Sequence, residues 1–487
     1  MEGSQTGEGR TPERITRRAF VQRSLVAGVA LGGTGELLAA CGSGSSEAAS
    51  GMVQVLVGFG TGNAPEQIPT QKALAEAFHR ANSRASVNFL RIPDSDQAAR
   101  KFGLLLASHR PPDVVLPTGL SGISTYLDQN VWLDLAPYLD KDEVSLDDFQ
   151  PPARLAAQPT AYFGSDAKAV VGIPSGMFSH AVAYNKDLFA AAGIPEPPHK
   201  WDTPEWNYDR LLEIATALTR DGKGQTPDKP GFDAGRIAQF GLGHWDTGIM
   251  ILGFGAHNYD PGTRKVLFDT PEYERGLQFG IDLTNRHHVL ATDELAAGVA
   301  AGTDPQLAAW QRGKVAMVDM CTCDLPSYGV GNRFRWDVAA WPTGPRRLAA
   351  TLNLDVGAVV RPGARHDTAW SLLRYLLTEP DHERRLATRG YGAIPPLKRE
   401  SAAFGPYIKR RFPGIDLRVF LDAIAHGTDE SEAWYPAFAK INDLGGQYLQ
   451  PVYDGKASAA EALPKYQAAA QREVDSWFAQ HKLPSSG

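Results

Sequence analysis

Gly58-Phe59-Gly60-Thr61-Gly62 has the residue types that let a backbone approach a ligand closely. A dinucleotide loop of the G-x-G-x-x-G kind would need glycine at position 63, where Asn63 stands, and Pro65 and Pro69 delay the helix that should follow. The segment reads instead as a ligand-facing polar loop or as a plain tight connection. In the first case its backbone N–H groups, Thr61 and Asn63 hydrogen-bond a ligand and Phe59 stacks on it. Cys321-Thr322-Cys323 places two thiols on one face if the segment is a strand. No His pair or second C-x-C stands nearby to complete a metal set. A disulfide between such close partners would be strained, so the two read better as small residues lining a pocket wall than as an oxidised pair. His287-His288 point apart on a helix and belong at the surface. G-x-S-x-G, H-E-x-x-H and G-x-x-x-x-G-K-[ST] are all missing, and no spacing selects two carboxylates for glycoside hydrolysis. Trp132, Trp245, Trp341 and the pair Trp434-Tyr435 fall near loops or element ends, where rings can stack on sugar faces. Each alone is more often core packing, and several converging would make a site.

The elements that must position these residues alternate. Met52 to Gly58 and Ala85 to Ile92 are β-branched, apolar strand candidates, and Pro112 to Leu116 is a third. Between them, Gln71 to Asn82 puts Ala73, Leu74, Ala77 and Phe78 on one helical face, and Phe102 to Ser108 is a short apolar helix. Thr203-Pro204 and Thr270-Pro271 each read as an N-cap followed by proline in the first turn, and Asp367 to Thr378 as another helix. Asp221 to Gly235 is a surface loop or hairpin. The alternation predicts an α/β fold with a parallel sheet, whose ligands sit at the carboxyl ends of strands, after Val57 and Leu116. A length of 487 residues allows about three domains or two large ones. Lys+Arg 49 against Asp+Glu 55 leaves a net charge of -6, which argues against nucleic acid as a partner. Three cysteines exclude a disulfide scaffold.

At the amino terminus, Arg17-Arg18 precedes a modestly apolar run from Leu25 to Ala40 that ends at Cys41. The run is too short to span a bilayer. It resembles a twin-arginine export signal joined to a lipoprotein signal, with Leu38-Ala39-Ala40-Cys41 as the cleavage box. The resemblance implies removal of residues 1–40, lipidation of Cys41, and a flexible tether over 41–51.

Val171 to Phe189 (VGIPSGMFSHAVAYNKDLF) resembles a segment of the sugar-binding, maltose-binding-like solute-binding proteins of ABC importers. So do Pro112 to Val115, Phe268 to Phe279, Trp310 to Met317, Trp336 to Gly344 and Asp454 to Leu463, in the same order. The resemblance implies a type II periplasmic-binding-protein-like fold of two α/β lobes. Chain crossings are expected near Pro174–Phe178, Asn353–Gly357 and Ile394–Arg399, with an N-lobe of 52–176 plus 357–396 and a C-lobe of 177–356 plus 397–487. It places ligand contacts at Phe59, Gly60, Thr61 and Asn63, at Thr118 and Gly119, and at Ser175, Met177 and Phe178. The C-lobe would add Trp245, Asp246, Thr322, Asp324, Asp355, Trp434 and Tyr435. The implied protein binds a carbohydrate without catalysis, cofactor or metal, works with permease subunits, stays monomeric, and is held at the outer face of the cell membrane by its lipid. A non-sugar solute, a twin-arginine-exported cofactor enzyme and a secreted carbohydrate-active enzyme are the alternatives.

Overall fold

The computed structural model describes residues 51–481 apart from 94, 120–122, 124, 127–128, 159–168, 303 and 427–434. The arginine pair, Cys41, the Gly/Ser stretch up to residue 50, and Trp434 therefore lie outside the described residues.

The strands are β1 Met52–Val57, β2 Ser86–Arg91, β3 Val114–Val115, β4 Ile173–Asn185, β5 Arg220–Asp221, β6 Ile237–Gly243, β7 Tyr259–Asp260, β8 Lys265–Val266, β9 Leu290–Ala291, β10 Val315–Cys321, β11 Trp336–Ala339 and β12 Leu352–Val359. Among the described residues, ten of them form one mixed sheet along the path β2-β1-β3-β12-β4-β10-β6-β5, with β11 beside β4 and β9 beside β6. β1 lies parallel to both β2 and β3, as the strand-helix alternation predicts. β10 and β6 form a second parallel pair at the other end.

Two long strands join these halves. β4 pairs β12 through Ile173 to Ser179 and β10 through His180 to Tyr184, antiparallel in both cases. Strands covered on both faces need a near-continuous apolar run. β4 has one, with every residue but His180 buried. β12 in turn continues to β3, and its register shifts between Asp355 and Val356. A third segment closes on the same place, where Met177 and Ile394 exchange backbone hydrogen bonds of 3.1 and 2.8 Å.

Helices cover the sheet where periodicity predicts them, with one exception. Ile68–Ala81 packs Leu74 and Phe78 with Val53 and Val55 of β1 and with Leu372 and Leu376 of the helix His366–Leu377. Burial of such a side chain contributes about 1.5–3 kcal/mol. Thr270 caps Pro271–Asn285 by accepting from the Tyr273 amide, as its sequence predicts. Thr203-Pro204 does not start a helix. Asn207, accepting from the Arg210 amide, caps Tyr208–Leu218, and the Thr203 hydroxyl donates to the Lys200 carbonyl instead. Asparagine is as good a cap as threonine, and the apolar face Tyr208, Leu211, Ile214, Ala215 and Leu218 starts only there. A separate cluster holds Phe438–Tyr453 and Ala459–His481, with Phe268 stacked on Tyr466 at 4.4 Å between ring centroids.

Candidate functional site

A cleft of about 960 Å³ opens beside the place where β4, β12 and the Ile394 segment meet. One wall is the loop after β1, residues 59–67, with Gly119; the facing wall is the turn 323–327 after β10; Phe178, Asn353 and Asp355 come from the joining strands. The first wall is held by polar side chains that spend their hydrogen bonds on the backbone. Gln67 accepts from the Gly62 and Ala64 amides at 2.9 and 3.1 Å and donates to the Thr61 hydroxyl. That hydroxyl donates to the Tyr391 carbonyl at 2.8 Å. Buried Gln71 donates to the carbonyls of both Gly62 and Gly390. Gly119 has a φ of 63°, and a Cβ there would stand 3.0 Å from the Phe59 carbonyl oxygen, so the close approach of the two loops requires glycine.

Of the residues expected to bind ligand, Phe59, Gly60, Thr61, Asn63, Gly119, Phe178, Asp324 and Asp355 line this cleft. Several do so in a different role from the one expected. The Phe59 ring packs edge-on against Phe102 and Tyr126 at 6.1 and 6.3 Å, so an interior cluster holds it instead of offering an open face. The Asn63 amide nitrogen donates to the Ile92 carbonyl at 2.6 Å, leaving only Oδ1, which is buried without a partner. Thr118, Ser175, Met177 and Thr322 do not line the cleft; each is at most 1% exposed. Thr118 bonds the Val356 backbone, and Met177 bonds Ile394. For Ser175 and Met177 the alternation of β4 points the side chain to the face opposite Phe178, which lines the cleft. Trp245 stacks on Trp341 at 5.0 Å and gives its indole N–H to the Met250 sulfur, so it serves packing.

Asp246 and Tyr435 belong to a second cavity of about 400 Å³, walled by the helices of the Phe268 and Tyr466 cluster. Asp246 caps the helix Thr247–Gly253 there through the Gly248 amide. Thr351 lines this second cavity, while Asn353 and Asp355 line the main cleft. Sequence reading missed Asn353, Arg91, Glu66 and Gln67. Asn353 was accessible to it, since it stands two residues before Asp355 on one strand. The Glu66 carboxylate pairs with Arg411 at 2.9 Å, a contact across 345 residues that no local pattern reveals.

The electrostatics concentrate around three carboxylates. Burial pushes the Asp355 carboxyl up to about 7, against the lowering effect of a hydrogen bond from the Gly119 amide. Burial alone would depress His180, yet the Asp319 carboxylate 2.8 Å away, with Asp324 and Asp246 beyond it, raises the imidazole to about 9. It is an imidazolium at neutral pH. Asp324 accepts from the Cys321 amide at 3.0 Å and lies 3.8 Å from His244. Cys321 and Cys323 are joined as a disulfide, which corrects the preference for an unoxidised pair, while Cys323 does line the cleft wall: the β10 end turns into a 3-10 turn that brings the two side chains together. Among the described residues, Cys321, Cys323 and Asp324 form the one group with metal-ligating spacing, and the disulfide occupies both thiols. The cleft therefore offers backbone polar groups, carboxylates and an amide around a partly apolar hollow, suited to a small polar solute.

Solved structures with this architecture include UspC of M. tuberculosis, with a TM-score of 0.63 and 21% identity, over 87% of this chain and 100% of that one. The ABC substrate-binding protein Lmo0181 of Listeria monocytogenes, in complex with cycloalternan, aligns with a TM-score of 0.69 and 14% identity over 89% and 99%. The GacH receptor of Streptomyces glaucescens, solved with acarbose, gives 0.67 and 17% over 88% and 99%. The fold is the two-lobe α/β fold of type II periplasmic binding proteins, as the sequence resemblance implies. A binding protein of Brucella abortus (strain 2308) is 24% identical over 299 residues, 60% of this chain, and the chain spans 65% of that relative's length. No helix among the described residues is long and apolar enough to cross a membrane. The family of bacterial extracellular solute-binding proteins matches residues 63–383, and the chain belongs to that family.

Proposed function

We propose that this chain captures a sugar or oligosaccharide in the cleft between an N-lobe (52–176 plus 357–396) and a C-lobe (177–356 plus 397–487) and delivers it to the permease of an ABC importer. The observation that carries this reading is the cleft itself, with walls from two different ends of the sheet and the joining strands beside it. A solute touching both walls favours the closed arrangement, because only contacts that differ between two states shift their populations. Solved structures of the same fold hold cycloalternan and acarbose, which supports a carbohydrate as ligand. In this reading Cys41 carries the lipid after removal of residues 1–40, and the protein works as a monomer at the outer face of the membrane. Binding without turnover distinguishes it from a carbohydrate-active enzyme.

The test is a panel of mono- and oligosaccharides and polyols, read by tryptophan fluorescence and thermal shift. One chemical class should stabilise the chain by about 2.7 kcal/mol at a hundredfold excess over its Kd. Reducing ends should not accumulate. Silence toward every carbohydrate, together with tight binding of another solute class, overturns the assignment.

A further inference from the structure

The two sulfurs of the Cys321–Cys323 disulfide have different surroundings. Cys321 ends β10 and is 2% exposed. Cys323 is half-buried and lines the main cleft. The Cys323 amide donates to the Cys321 sulfur and the Cys321 amide to Asp324, so the disulfide and a cleft carboxylate are held in one turn. Cys321 is the direct cross-strand partner of His180, which places both side chains on one face of the sheet about 5 Å apart at Cβ. His180 is held there by Asp319 at 2.8 Å.

We propose that Cys321–Cys323 is a thiol–disulfide exchange site reached through the ligand cleft, with a dithiol as its co-substrate, Cys323 the sulfur attacked and Cys321 the leaving group. A thiolate of the dithiol forms a bond to the Cys323 sulfur while the Cys321–Cys323 bond breaks and its electron pair passes to Cys321. The second thiolate of the dithiol then attacks the dithiol sulfur of the mixed disulfide, releasing Cys323 as a thiolate and the reductant as its cyclic disulfide. The protein gains two electrons and two protons, and the dithiol loses them. Cross-strand from Cys321, the His180 imidazole keeps a buried Nε2 without a partner, a donor that the leaving thiolate can take up while Asp319 holds Nδ1. Access runs through the cleft, since Cys323 lines it whereas Cys321 is 2% exposed and does not. A bound solute therefore shields Cys323, a consequence that rests on the reading of the cleft as a solute site.

The experiment uses the full chain with Cys41→Ser, so that only this pair reacts. Native protein is treated with dithiothreitol, quenched, alkylated and mapped by mass spectrometry. Two thiols should appear without denaturant, at a rate proportional to reductant, and the monothiol 2-mercaptoethanol should be trapped on Cys323. Thiols that appear only on unfolding, or an adduct on Cys321, overturn the proposal. This arm contains no sugar and stands whether or not a carbohydrate binds. With any sugar that thermal shift has shown to bind, reduction should slow by about fivefold or more. An unchanged rate in an occupied cleft overturns the cleft route and leaves the binding reading intact.

Discussion

Arg91 donates to the side-chain oxygen of Gln71 over 2.7 Å, and both side chains converge on one carbonyl, that of Gly62. The pair thereby ties the edge strand β2 and the helix Ile68–Ala81 to the loop that walls the cleft. Gln71 extends the tie to Gly390, next to the Tyr391 carbonyl that receives the Thr61 hydroxyl. The Arg91 guanidinium also rests 4.8 Å over the Phe89 ring.

Replacing Gln71 by Leu strips the Gly62 and Gly390 carbonyls and the Arg91 guanidinium of a partner at once. The expected loss is about 1–3 kcal/mol of stability, read from chemical denaturation. Arg91→Lys keeps the charge but cannot hold both acceptors in a fork, so it should keep most of the stability and still weaken solute binding several-fold. Calorimetric titration checks this. Unaltered affinity in Arg91→Lys would show that the clamp supports the fold without positioning the loop.

Asp355 carries a pH signature. Its carboxyl is raised by burial to about 7, so the folded state holds a proton that the unfolded chain releases near pH 4. The favourable contribution is complete below about pH 4 and is lost as pH rises to about 7. Asp355→Asn retains an acceptor for the Gly119 amide and removes the buried charge. At pH 8 the variant should be more stable than the parent by about 1–3 kcal/mol, with the difference vanishing toward pH 4. Equal melting temperatures of the two proteins across that range would rule the buried ionisation out.

His180 has the opposite partnership and the same sign of shift. Its pair with Asp319 raises the imidazole to about 9, so the stabilisation is full below about pH 6.5 and disappears as pH rises through 9. Asp319→Asn should cost about 3–5 kcal/mol at pH 7, because a largely enclosed imidazolium, its side chain 12% exposed, loses its counter-charge. The imidazole resonance of the variant, followed by NMR, should titrate below its position in the parent. A titration midpoint that stays near 9 would assign the shift to another group.

Much of the fold is legible in the sequence. The run Met52–Val57, the face of Leu74 and Phe78, and the Thr270 cap depend on contacts within a few residues, and all appear as read. The Thr203 cap failed for a local reason as well, since a second competent cap at Asn207 lay closer to the apolar face. Among the residues read as ligand contacts, Phe59, Gly60, Thr61 and Asn63 of the loop after β1, with Gly119 and Asp355, line the cleft. Tyr435 was expected in that cleft and instead packs against Phe438 at 5.4 Å in the second cavity.

What the amino-acid sequence determined by itself is the order of strands and helices, the polar loop after the first strand, and the membership of the chain in its family, because patterning and turn chemistry act over short spans. Which polar atoms remain free for a solute was decided by tertiary structure. Thr61 has its hydroxyl taken by a carbonyl 330 residues away, Asn63 by Ile92, and Cys323 meets its partner only because β10 ends in a tight turn. A buried backbone carbonyl must find a donor wherever the fold brings one, and that demand outranks the local pattern in which each polar side chain was first read.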